Sequence, residues 1–309
     1  MQNQSDINKE LFRPALDNRE AAESIKRPSI SYWSDVWRRL KKNKLAMFGL
    51  IILLLLIIMA IVGPYLTGYT YYTQNLDAQN LRPSADHWFG TDSVGRDLFT
   101  RTWYGARYSL FIGIMAAMID FLIGVIYGGI AGFKGGKTDT IMMRIAEIIY
   151  SIPYLLTVIL LMVILPQGLW TIILAMGITG WLSMARLVRG QVLQLKEMEF
   201  VQASTLMGAK TGWILRKHLI PNTMGSILVN ITLSVPSAIF AEATLSFLGL
   251  GVPPPAASWG TMVSDSIQSL LVGNAYQLFI PAFFISLTMF SFNVLGDRLR
   301  DALDPRLRK

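Results

Sequence analysis

Residues 199–222 read EFVQASTLMGAKTGWILRKHLIPN, a mostly polar island between long apolar segments. Phe200, Ala203, Ser204 and Met207 fall at i, i+3, i+4 and i+7, one face of a short helix. Gly208 can supply a left-handed C-cap, and helical spacing resumes with Leu215 and Leu219. Pro221 is expected to block any continuation, because its ring clashes with the preceding turn. Two short helices in an L, with Arg216, Lys217 and His218 on the second, would make a compact knob outside a membrane. An ordinary loop of a multispan protein fits the same spacing.

Composition sets the frame. The chain has 309 residues, 52% of them hydrophobic and only 16% charged, with a mean hydropathy of +0.43. Soluble domains carry about 25% charged residues, so this is the composition of a membrane protein. With no cysteine there are no disulfides or thiolate metal sites, and two histidines make a poor zinc site. No cofactor is expected. The net charge of +8 would suit nucleic acid, but the basic residues flank apolar runs, the pattern that orients membrane spans.

Runs of about 20 apolar residues, the length that crosses a hydrocarbon core of ~30 Å, lie near 45–66, 108–132, 141–165, 169–188, 224–250 and 277–296. The predicted fold is all-α with six transmembrane helices. No apolar run lies near the start, so a cleavable signal peptide is not expected. Residues 1–28 read as a mobile tail. Trp33, Val36, Trp37 and Leu40 follow helical spacing, which suits a short interfacial helix. The cluster Arg38, Arg39, Lys41, Lys42 and Lys44 then places the amino end in the cytoplasm. With that orientation the inside segments hold 24 of the 28 Lys and Arg, and both termini and the island face the cytoplasm. The chain thus divides into an inner tail with its interfacial helix (1–44), a first span with an external segment (45–107), a core of five spans (108–297) and a second inner tail (298–309).

One motif misleads. AGFKGGKTD, from Ala131 to Asp139, ends like a phosphate-binding loop, but the first glycine place holds Ala131 and membrane helices flank it where a strand is required. Any ATPase must therefore be a separate chain. Ionisable residues within spans are costly and mark functional candidates. Asp120 lies near mid-depth of the second span, where a hydrogen bond to a neighbouring helix is the expected compensation. Glu147 sits three residues after Arg144, spaced for an ion pair. Glu242 and Ser246 share a small-residue stripe with Ala243 and Gly249 on the fifth span, and Asn230, Thr232, Ser234 and Asn293 are further polar groups for a wet passage. The stripe suits a close helix contact as well as a pore.

The island resembles the Glu-Ala-Ala loop of permease subunits in binding-protein-dependent ABC importers. Gln202, Ala203 and Ser204 occupy the Glu-Ala-Ala places, Gly208 and Pro221 match in spacing, and His218 and Ile220 stand where Ile and Leu are expected. Gln202 removes the charge of that motif. Outside, the pair Gly90-Thr91-Asp92 and Gly95-Arg96-Asp97, followed by Gly105-Ala106-Arg107, resembles the dipeptide/oligopeptide branch of that family. EATLSFLGLGVPPPAASWGTMVSD, from Glu242 to Asp265, resembles the same branch, as does the tail from Asp297. The likeness runs from about Trp37 to the end and is to the second, C-type permease subunit.

That resemblance implies a type I ABC importer permease fold. It also implies a heterodimer with a second homologous permease, two cytoplasmic ATPase subunits, an external substrate-binding protein and a peptide substrate. The implied ATPase-coupling residues are Glu199, Gln202, Ala203, Ser204, Gly208, Arg216 and Pro221; the candidate path residues are Glu242, Ser246, Asn230 and Ser234. Nickel, glutathione or antimicrobial peptides fit the same branch. An ion-gradient-driven secondary transporter would show inverted repeats and broken midplane helices, which the sequence does not display. An intramembrane enzyme would need a metal or nucleophile motif, and none is found.

Overall fold

The computed structural model describes residues 31–303; the expected mobile tail and residues 304–309 of the inner tail lie outside them. Among the described residues the architecture is helical, with five helices long and apolar enough to span a membrane and one pair, bent by 80°, that passes the same test only when its two helices are taken together. Helix α1 (Tyr32–Lys42) buries Val36 and Leu40 and leaves Trp33 and Trp37 exposed. The Asn43 side chain accepts from the amides of Leu45 (3.1 Å) and Ala46 (3.2 Å), which starts α2 (Lys44–Val62), the first span, where it was expected.

Three boundaries differ from the sequence reading, each for a local reason. Helix α3 runs Leu98–Lys134, beginning well before residue 108, because Asp97 caps it by accepting from the Thr100 amide at 2.8 Å. At 37 residues it is about 55 Å long by helical rise, so its first turns stand outside an apolar layer. The third span is two helices, α4 (Gly136–Ser151) and α5 (Tyr154–Ile164), bent by 80°. Ile152 precedes Pro153 and is extended (φ −76°, ψ 126°), the conformation a following proline favours.

The third difference is at Pro221, which does not end a helix. After α6 (Leu169–Leu195), α7 (Glu199–Leu206) and α8 (Thr211–Ile214), a π-helical turn over Leu215–Leu219 leads directly into α9 (Ile220–Phe247). The wider turn makes room for the proline ring in the first turn of α9. Asn222 Nδ2 donates to the His218 carbonyl at 2.6 Å, giving it a side-chain partner. Two short helices, α10 (Trp259–Asp265) and α11 (Ile267–Leu271), precede the last span, α12 (Tyr276–Leu303).

The tightest packing is α3 against α6. Gly124, Gly128 and Gly132 recur at i, i+4 and i+8 on α3, and a Cβ at Gly128 would overlap the Ala185 carbonyl oxygen. The segment between α2 and α3 folds onto the first turns of α3 and α12. Gly90 (φ 78°) and Gly95 (φ 76°) both adopt left-handed backbone, and a Cβ at Gly95 would overlap the Asn75 carbonyl. Asp92 accepts from the amides of Val94 (3.0 Å) and Arg96 (2.9 Å) and from Arg96 Nε (2.6 Å). Gln277 on α12 donates to the Thr91 carbonyl at 3.0 Å, and the Tyr276 hydroxyl to Leu81 at 2.8 Å. The paired Gly-x-Asp motifs are thus one folded cap. Gly95→Ala is expected to lower the melting temperature of the purified protein, through left-handed strain of about 1–2 kcal/mol plus the overlap with Asn75; an unchanged transition would refute the fit.

Candidate coupling site and transport path

The island is seated, not loose. Val201, Ile214, Leu215 and Leu219 are buried in one cluster with Val125 of α3, Met184, Val188 and Val192 of α6, and Ile227 of α9. Gly208 takes the left-handed conformation (φ 80°) that closes α7. Its amide donates to Thr205 (3.0 Å) and the Ala209 amide to Ser204 (3.1 Å), the two bonds of a Schellman cap. Ser204 faces inward: its hydroxyl donates to the Phe200 carbonyl at 2.7 Å and lies 3.5 Å from His218 Nε2. His218 in turn sits between the rings of Phe200 (5.8 Å) and Trp213 (5.0 Å).

The other candidates point outward. Glu199, Gln202, Ala203, Gly208, Arg216 and Pro221 are exposed, and Gln202 Nε2 donates to the Glu197 carbonyl at 3.0 Å. Between them Leu206 and Met207 are 88% and 82% exposed. Two large apolar side chains held up by a rigid cap on a polar knob form a surface suited to a partner. Helical spacing grouped Met207 with Ser204 on one face and did not single out Leu206; in the structure Ser204 is buried and Met207 exposed, because period alone does not say which residues are covered.

Glu242 lies in a different environment. It is fully buried, and Ser246 (2.7 Å), Ser258 (2.6 Å) and Ser109 (3.4 Å) donate hydroxyls to its carboxylate. Ser109 also accepts the Trp259 amide at 3.0 Å, and Trp259 Nε1 donates to the Thr102 carbonyl at 2.9 Å. Glu242 and Ser246 therefore clamp the proline-rich loop and α10 onto α3, and anything they contribute to a path acts through that loop. Asn230 and Ser234 are half-buried on α9, away from Glu242. Asn230 lines a cavity of about 950 Å³ with Gln191, Asn222, Pro221 and Arg300. The structure thus separates the four path candidates into a buried pair, Glu242 and Ser246, and a half-buried pair, of which Asn230 lines the cavity while the Ser234 hydroxyl donates to the Asn230 carbonyl at 3.0 Å.

Three ion-pair groups complete the picture. Arg101, 2% exposed, reaches Asp92 (3.6 Å) and Asp265 (3.3 Å), tying the folded cap to the end of α10. Arg189 of α6 pairs with Asp139 of α4 at 2.5 Å, which closes the base of the core. Arg144 and Glu147 pair at 3.1 Å as their spacing predicts, on an exposed face.

Residues 124–309 match the family model for the binding-protein-dependent transport system inner membrane component, and residues 31–83 that for the N-terminal TM domain of oligopeptide transport permease C. The chain belongs to the first of these families. It is 65% identical over 94% of its length to the dipeptide transport system permease protein DppC of Bacillus subtilis, covering 91% of that protein. To the oligopeptide transport system permease protein OppC of the same organism it is 61% identical, over 98% of this chain and 99% of that one. A solved MetNI methionine ABC transporter superposes with a TM-score of 0.54 at 22% identity, covering 66% of this chain and 96% of that one, and shows the shared permease fold. The chain is thus a multi-pass membrane permease of an ABC importer and not an enzyme. Permeases of this family work with ATPase and binding-protein components.

Proposed function

We propose that this chain forms half of the path by which dipeptides or oligopeptides, delivered by an external binding protein, cross the membrane at the expense of ATP. The observation that carries the reading is identity above 60% along nearly the whole chain to permeases named for dipeptides and oligopeptides. In this reading a second homologous permease completes the path and two cytoplasmic ATPases drive it. Both termini and the knob at 199–222 face the cytoplasm, in keeping with the Lys and Arg distribution. Leu206 and Met207 enter a groove on an ATPase, flanked by Glu199, Gln202, Ala203 and Arg216, while Ser204, Gly208 and Pro221 hold the knob's shape. Asn230 and Ser234 line the path, and the Glu242–Ser246 clamp holds its outer wall.

Specificity in this scheme rests on the binding protein. A tight site for a charged peptide needs counter-charges in a low-dielectric setting, and a deep well would slow release. The test uses the assembled importer in proteoliposomes with its binding protein. Labelled di- and tripeptides should accumulate only with ATP, and the permease pair alone should bind them no tighter than about 1 mM. ATP-driven uptake of nickel or glutathione without peptide would replace the reading, and a micromolar peptide site on the permeases would overturn the division of labour.

A further inference from the structure

Helix α1 carries two adjoining faces, and only one of them is covered. Val36 is buried in one cluster with Leu228 and Val229 of α9 and Leu299, Ala302 and Leu303 of α12. Leu40, one turn on, is buried as well. The next row along the helix is open. Trp33, Trp37 and Lys41 recur at i, i+4 and i+8, so their side chains line up. The two indoles are 50% and 45% exposed, and Lys41 Nζ stands 5.2 Å from the centre of the Trp37 ring.

The charge of this segment is unbalanced. From Tyr32 to Lys44 five Lys and Arg residues face one carboxylate, Asp35. That carboxylate is already engaged, accepting from Arg38 Nη2 at 2.7 Å and Arg39 Nε at 2.9 Å. Lys41, Lys42 and Lys44 are exposed and have no carboxylate partner among the described residues.

The depth of the helix says what meets that charge. Asn43 alone separates α1 from the first span, α2, whose Leu54, Leu55, Ile58 and Ile61 are exposed. Such a helix stands at the edge of the bundle against hydrocarbon, so α1, joined to its start, lies at the level of the headgroups. Indole rings are favoured there, and lysines extend their ammonium groups towards phosphate. An anionic headgroup answers both the uncompensated lysines and the exposed indoles, whereas an acidic protein segment answers only the first.

We propose that the row Trp33, Trp37 and Lys41, with Lys42 and Lys44, is a binding surface for anionic phospholipid in the leaflet where α2 begins. Because the adjoining face of α1 is seated on α9 and α12, lipid held on this row also holds the amino end of the chain to the last turns of α12. The surface goes beyond the transport reading and does not depend on it.

The chain has no native cysteine, so Ser34→Cys, exposed on α1, places a single environment-sensitive dye beside the row. The labelled full-length chain in uncharged detergent is titrated with phosphatidylglycerol and with phosphatidylcholine. Phosphatidylglycerol should bind about a hundredfold tighter, on the order of fivefold for each of the three lysines, and added salt should reduce the preference. Changing Lys41, Lys42 and Lys44 together to glutamine should abolish the preference, and changing all three to arginine should keep it. Trp33→Ala with Trp37→Ala should weaken both lipids alike. Equal affinity for the two lipids in the unmutated row, or a preference that survives the glutamine variant, overturns the proposal. A glutamine variant that keeps its lipid preference but no longer co-purifies with the ATPases would assign the row to a protein partner instead. Transport is not read in any of these titrations, so failure to move peptide would remove the function and leave the lipid surface standing.

Discussion

Replacing Leu206 and Met207 together by aspartate is expected to separate the permease from its ATPases while leaving it folded. The two side chains are 88% and 82% exposed, so neither contributes to the cluster that seats the knob. The Schellman cap is made by backbone groups of Ser204, Thr205, Gly208 and Ala209 and survives the change. On docking, however, two unpaired carboxylates would be driven into an apolar groove. Apolar anchors at the centre of an interface typically contribute 2 kcal/mol or more each, so affinity should fall at least about a hundredfold. Co-purification with the ATPases and stimulation of their activity are the measurements, with the melting transition of the permease as control. Normal co-purification and uptake would mean that the knob does not couple the two activities.

The second large effect is expected where α3 and α6 touch. Gly128→Ala should cost at least about 3 kcal/mol, the upper end of overpacking penalties, because the added methyl meets the Ala185 backbone and no rotamer can yield. Gly129→Ala should be tolerated within about 0.5 kcal/mol, since its methyl would touch only Leu215 Cδ2, at 3.4 Å. Adjacent residues of the same type thus have opposite expectations. Thermal unfolding of the detergent-solubilised protein distinguishes them. A similar loss for both, or for neither, would show that helix propensity rather than interhelical approach governs this segment.

Much of this protein is read from local rules. Apolar runs located the spans, with the third as a single segment, and Gly208 signalled its left-handed cap. The paired Gly90 and Gly95 motifs, known from the sequence only as a likeness, prove to be two left-handed turns of one cap. Length, period and capping are properties of a few consecutive residues, so they survive without knowledge of neighbours. Even the missed boundaries carried local signals: Asp97 was available as a cap, and Pro153 marked the break.

What tertiary structure decided is which face meets what. Ser109 and Ser258 reach Glu242 from 133 and 16 positions away in the chain, and Arg101 reaches Asp265 across 164. No periodicity connects such residues, because the energy of a buried charge depends on partners brought by other helices. Pro221 remained within a continuous helical segment because a π turn absorbed its ring. Met207 turned out to solvent because the seat on α3 and α6 was already filled by Val201, Ile214 and Leu219. The sequence alone determined a six-span α-helical chain with a polar knob; the packing of α3, α6 and α9 determined which of its polar groups are buried and which stay exposed.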